Sequence, residues 1–179
     1  SNNITENDLI LVSRDIGAHG ATIFAAREGM DLETSLKSDC ASLYPQVKAL
    51  IDSGIKITAL RDATRGGVSA VLNEWAKQSD ICIEIEEEKI PICDEVKGIC
   101  EMLGFEAMSL ANEGTFVLAI PNEDALKALE VLQTFEYSKT ASIIGKVTQQ
   151  YEQRVILNSQ WGTKRFLDVP TGELLPRIC

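Results

Sequence analysis

The chain contains a single histidine, and its five cysteines, Cys40, Cys82, Cys93, Cys100 and Cys179, include no Cys-x-x-Cys pair. One histidine excludes multi-histidine metal sites and leaves at most a Cys–His pairing. An odd cysteine count without accompanying ligands argues against both a structural zinc and a disulfide framework, so no bound metal is expected. Cys93 and Cys100, seven apart, fall on one face if the segment is helical, where they read as small buried hydrophobes. Reduced thiols of this kind suit the cytoplasm. No apolar run approaches the roughly 20 residues of a membrane span. The opening Ser1-Asn2-Asn3-Ile4-Thr5-Glu6 has neither the basic start nor the apolar stretch of a secretory signal. It also lacks an initiator Met, which reads as processing or as the start of a fragment. There is no basic run, and 17 basic against 27 acidic residues leave a net charge of −10. That field repels phosphate backbones and excludes nucleic acid as a partner. It would also repel a nucleotide, so any nucleotide site has to be built locally from a helix N-terminus and a few arginines.

What remains is an ordinary globular balance, 45% apolar and 25% charged over 179 residues, enough for one domain with a sizeable core. Apolar runs and period-two alternation predict strands over 9–13, 56–60, 81–86, 115–120, 142–148, 154–157 and 164–169. Helical spacing predicts helices over 18–27, 42–52, 67–78, 92–103 and 123–135, with Gly54 as a stop and Pro91 at a start. Strands alternating with helices, without an internal repeat, predict an α/β or mixed α+β layer arrangement over residues 1–169. Pro170, Gly172 and Pro176 interrupt regular structure, so 170–179 is expected to be an extended, mobile tail.

Four places invite a chemical reading, and each also has a structural one. A thiol on the last residue of the tail, Leu175-Pro176-Arg177-Ile178-Cys179, can travel, since ten extended residues reach roughly 30 Å. Prenylation needs three residues after the cysteine and does not fit. The terminal carboxylate disfavours the thiolate and Arg177 opposes that effect; alternatively, a cysteine simply ends a frayed tail. The second place is Arg61-Asp62-Ala63-Thr64-Arg65-Gly66-Gly67, between a strand and a helix. Its free N–H groups beside Arg65 form an anion site, and Gly66 and Gly67 let a phosphate approach; otherwise Thr64 merely caps a helix. No Gly-Lys-Ser/Thr follows, so it is not a Walker loop. The third is Ala111-Asn112-Glu113-Gly114, where Glu113 could act as a general base or where Asn112 and Gly114 simply supply a bend. The fourth, residues 13–20, contains His19, either functional or making structural hydrogen bonds at a strand-to-helix turn.

Together and in this order, these stretches resemble the HypE family of nickel–iron hydrogenase maturation, the carbamoyl dehydratases. The matching segments are residues 13–20, 61–68, 111–114 and the terminal Pro176-Arg177-Ile178-Cys179. The terminal motif is the most specific. The 61–67 run is shared with the wider aminoimidazole-ribonucleotide-synthetase and selenophosphate-synthetase superfamily. Arg14 and Ala18 depart from the residues common in the family's first motif.

The resemblance implies the superfamily's C-terminal domain, a mixed sheet flanked by helices. It also implies that an N-terminal domain, which binds ATP and Mg2+ and forms the homodimer core, is absent from this chain, leaving the fragment inactive alone. In that chemistry a carbamoyltransferase, HypF, loads a carbamoyl group on Cys179. ATP-dependent dehydration of the resulting thiocarboxamide gives a thiocyanate, whose cyanide passes to iron on the HypC–HypD complex. The resemblance makes Cys179 the carrier and Glu113 the base. Arg65, Gly66 and Gly67 become phosphate ligands, with Asn112, Arg177 and His19 in support. Two other readings remain: another ATP-using member such as a selenophosphate synthetase, which has no use for a terminal thiol, and a non-catalytic docking module that presents its tail.

Overall fold

The computed structural model describes residues 3–29 and 36–169. The expected tail, with Arg177 and Cys179, lies outside the described residues. In chain order the elements are β1 (Leu9–Val12), α1 (Ala18–Arg27), α2 (Tyr44–Asp52), β2 (Ala59–Asp62), α3 (Gly67–Gln78), β3 (Cys82–Glu86), α4 (Asp94–Leu103), β4 (Phe116–Ile120), α5 (Asn122–Gln133), β5 (Ser142–Thr148), β6 (Arg154–Asn158) and β7 (Lys164–Phe166). The strands form one sheet in the order β2-β4-β1-β5-β3-β6-β7. Neighbours are antiparallel except β3 and β6, which run parallel.

The central strands are apolar on both faces because both faces are covered, the pattern of a sheet sandwiched between helices. Ile10, Val12, Val117, Ala119, Ile83 and Ile85 point into a core shared with Val68, Leu72 and Trp75 of α3, Ala21 of α1 and Val96 of α4. On the other face Leu11, Phe116, Leu118 and Ile120 meet Leu50 of α2 and Ala125, Ala128 and Leu132 of α5. Leu118 is fully buried there, and its truncation to alanine would cost about 2–5 kcal/mol. The result is the expected α+β architecture, a mixed sheet flanked by helices.

Several boundaries differ from expectation, two of them for identifiable reasons. The second strand is Ala59–Asp62, not 56–60. Its ladder with β4 runs on through the polar Arg61 and Asp62, which an edge strand can turn to water. The fourth helix begins at Asp94, since Cys93 is extended (φ −70°, ψ 157°) and Asp94 and Glu95 occupy the first turn, where carboxylates complement the helix dipole. Cys93 therefore does not share a helical face with Cys100. Burial still pushes both thiols up, Cys100 to about 11, as expected of packing residues rather than reactive ones. The last strand stops at Phe166.

The antiparallel order also has a topological consequence. The registers Val12↔Val117 and Asp62↔Phe116 put the ends of β1 and β2 beside the start of β4. Three of the four sequence motifs therefore meet at one end of the sheet.

Candidate active site

The segment leaving β1 is tied to β4 at once: Ser13 N–H donates to the Phe116 carbonyl, and Phe116 N–H donates to Ser13 Oγ, both at 3.0 Å. The segment leaving β2 is tied there too, through Ala63 N–H to the Thr115 carbonyl at 2.9 Å. Asn112 is completely buried between them. Its Oδ1 accepts the Gly17 N–H at 2.7 Å, and its Nδ2 donates to the carbonyls of Ala63 (2.9 Å) and Leu110 (3.1 Å). Its own N–H donates to the Ala63 carbonyl at 3.1 Å. One amide thus joins residues 13–20, 61–67 and 111–114 into a single loop cluster. Reading Asn112 as a bend-former undervalued it, because a side chain that cross-links distant loops leaves no mark in local spacing.

The 61–67 loop enters α3 through Gly66, which is left-handed at φ 72° and carries no side-chain cap. Thr64 does not cap the helix with its hydroxyl; its carbonyl accepts the Gly67 N–H at 3.0 Å. Gly67 is also left-handed (φ 60°), and a Cβ there would run into the carbonyl oxygens of Leu110 and Met108. Gly67 is therefore required for packing the α3 start against the short helical turn Ala107–Ser109, and it is buried. Gly66 is half-buried, and Arg65 is exposed at the open end of α3. An uncapped helix N-terminus beside an exposed arginine fits a phosphate group, through its outward N–H groups and its positive dipole end. Among the described residues no group of three His, Cys, Asp or Glu is arranged to hold a metal ion.

Glu113 follows Asn112 and projects its carboxylate to solvent. Its backbone is fixed by a residue that sequence reasoning missed. Asp39, only 3% exposed, accepts the Glu113 N–H on Oδ1 (3.0 Å), and the Gly114 N–H (3.0 Å) and Thr115 Oγ1–H (2.8 Å) on Oδ2. Gly114 is obligatory here, because a Cβ would collide with the Asp39 carbonyl oxygen. His19, half-buried on α1, places Nδ1 2.9 Å from Ser38 Oγ, which also accepts the Cys40 N–H at 3.2 Å. Arg14, a departure from the family motif, reaches the Asp39 carbonyl at 3.4 Å and stacks on Tyr137 at 5.6 Å. No sequence signal marked Asp39, which sits in a polar stretch outside any periodic segment.

The last described stretch is anchored to the same helix. Ser69 Oγ donates to the Asp168 carbonyl, and Asn73 Nδ2 to the Leu167 carbonyl, both at 2.8 Å. Leu167 itself is buried in the core and donates its N–H to Val155 at 2.9 Å. Ser69 lies in the first turn of α3, so Asp168 is held about one helical turn from the Gly66 end.

Comparison with known proteins follows the same lines. Residues 5–158 match the family model for the AIR synthase related protein, C-terminal domain. The chain is 44% identical over 177 residues to a putative hydrogenase expression/formation protein of Methanocaldococcus jannaschii, covering 99% of this chain and 52% of that protein. It is likewise 44% identical over 177 residues to carbamoyl dehydratase HypE of Escherichia coli K12, covering 98% and 52%. Among solved structures, a HypE in complex with ATP superimposes with a TM-score of 0.93 at 34% identity, over 99% of this chain and 54% of that one. The HypE–HypF complex matches with a TM-score of 0.89 at 41% identity, over 94% and 55%. The chain spans about half the length of the curated relatives it matches. It belongs to the AIR synthase related protein C-terminal domain family, and within it resembles the HypE carbamoyl dehydratases along nearly its entire length.

Proposed function

We propose that this chain is the C-terminal half of a carbamoyl dehydratase that makes the cyanide precursor for a nickel–iron hydrogenase. In this reading residues 1–169 form the domain, 170–179 form the arm, and an ATP-binding half precedes them. The observation that carries the reading is the Asn112 junction. It sets the exposed Glu113 carboxylate in the same loop cluster as the uncapped α3 terminus with Arg65, Gly66 and Gly67. The HypE relatives, one bound to ATP and one to HypF, support the assignment of nucleotide and partner.

The chemistry follows from what each group can do. HypF places a carbamoyl group on the Cys179 sulfur, giving S–C(=O)–NH2. Expelling water directly from this group in water is uphill, so its oxygen must first become a good leaving group. The carbonyl oxygen attacks the γ-phosphorus of ATP and ADP departs, while the amide loses one proton to water. Glu113 takes the remaining N–H proton as the C–O bond to phosphate breaks, which leaves S–C≡N on Cys179. The α3 N–H groups and Arg65 offset the negative charge that builds on the transferred phosphoryl group. ATP brings Mg2+, which the preceding half holds in this reading. The thiocyanate carbon is electrophilic, so an electron-rich iron on a HypC–HypD complex supplies the electron pair of the new Fe–C bond as the S–C bond breaks and Cys179 leaves as the thiolate. The homodimer belongs to the full-length protein.

Mass spectrometry tests the first step. Incubation of this chain with HypF, carbamoyl phosphate and ATP is expected to add one carbamoyl group, lost in Cys179→Ala. An unmodified Cys179 would favour a docking module instead. The chain alone is expected to hydrolyse no ATP, and Mg2+-dependent turnover by the purified chain would contradict the half-enzyme reading.

A further inference from the structure

We propose that Asp39 is a positioning residue for Glu113, holding the turn that presents the base. The inference rests on the assignment of Glu113 above. A carboxylate that is only 3% exposed is costly unless donors surround it. Asp39 meets three donors, all from consecutive residues of one turn: the N–H groups of Glu113 and Gly114 and the hydroxyl of Thr115. Both carboxylate oxygens are used, so the turn is held against rotation as well as translation. Contact is backbone to backbone on the other side, where Gly114 lies against the Asp39 carbonyl without room for a Cβ. The Ala41 N–H approaches the Glu113 carbonyl at 3.5 Å, closing the strap around the residue. Glu113 therefore has a fixed backbone and an exposed side chain, the arrangement that sets a base at a defined place without occupying its carboxylate.

A role confined to stability would lower the melting temperature and leave turnover of the folded protein untouched. A positioning role lowers turnover in protein that is still folded. Asp39→Asn keeps the shape and replaces one acceptor oxygen with a donor. In this chain, amide hydrogen exchange at Glu113 and Gly114 should quicken by at least about tenfold as their acceptors weaken. Unchanged protection at both amides would overturn the clamp.

The second measurement uses this chain joined to the N-terminal half of the E. coli relative. Asp39→Asn should lower kcat for ATP-dependent conversion of carbamoylated Cys179 by about 10–100-fold. KM for ATP and HypF-dependent carbamoylation should stay within about twofold. Thr115→Val removes one of the three donors without altering shape, and should lower kcat by a smaller factor even if Asp39→Asn folds poorly. Full kcat in both variants, with Glu113→Gln inactive, would sink the positioning role alone. Full kcat in Glu113→Gln would remove the base assignment and this inference with it.

Discussion

Two short connections in this domain are built on opposite plans. The turn Ala111–Gly114 is held by residues far away in the chain: Gly17, Asp39 and Ala63. The connection between β6 and β7 is held by its own neighbours. There Ser159 N–H donates to the Thr163 carbonyl at 2.8 Å, Gly162 N–H donates to Ser159, and the two hydroxyls of Ser159 and Thr163 sit 2.6 Å apart. Asn112 is fully buried in the first, whereas Trp161 is 83% exposed in the second. A turn that closes on itself needs nothing from the rest of the fold and tolerates change. A turn assembled from distant segments exists only when the fold does, and that makes it a precise place to hold a side chain.

Substitutions can break or sharpen this contrast. Asn112→Ala should have the largest effect, a loss of roughly 3–4 kcal/mol in chemical denaturation, because it strands the buried Gly17 N–H and the Leu110 carbonyl and leaves the Ala63 carbonyl with the backbone N–H of residue 112 alone. A midpoint close to the parent's would mean that the three loops hold together without it. Gly67→Ala comes next, at roughly 2–4 kcal/mol, since it combines a left-handed backbone with collision against two carbonyl oxygens. Its control is Gly162→Ala, equally left-handed at φ 78° but facing open space. That change should cost only about 1 kcal/mol, and equal losses at the two glycines would show that backbone strain, not close approach, governs Gly67. Trp161→Ala should be smallest, within about 0.5 kcal/mol by thermal melting, as for surface positions generally.

Several elements lie where the sequence places them. Helices α1 and α3 and strand β5 occupy the residues expected of them, 18–27, 67–78 and 142–148. The second strand slipped toward Asp62 because hydrogen-bond pairing with β4, not hydrophobicity, sets where an edge strand ends. The α4 start moved because two acidic residues favour a helix N-terminus more than the apolar Ile92 does. Of the candidate site, Glu113, Arg65, Gly66 and Gly67 were legible as motif residues. Their neighbours were not: Asp39, Thr115 and the bridging role of Asn112 depend on contacts across 49 to 95 positions of sequence.

By itself the sequence determined the fold class, the residue types gathered in each loop and the family, since periodicity and motifs are local properties of the chain. Tertiary structure alone decided that Asn112 binds three loops, that Gly67 and Gly114 are glycines for lack of space, and that a buried Asp39 steadies Glu113. The reason is physical: the cost of burying an amide or a carboxylate is offset only by donors and acceptors delivered from elsewhere, and the antiparallel sheet is what delivers them.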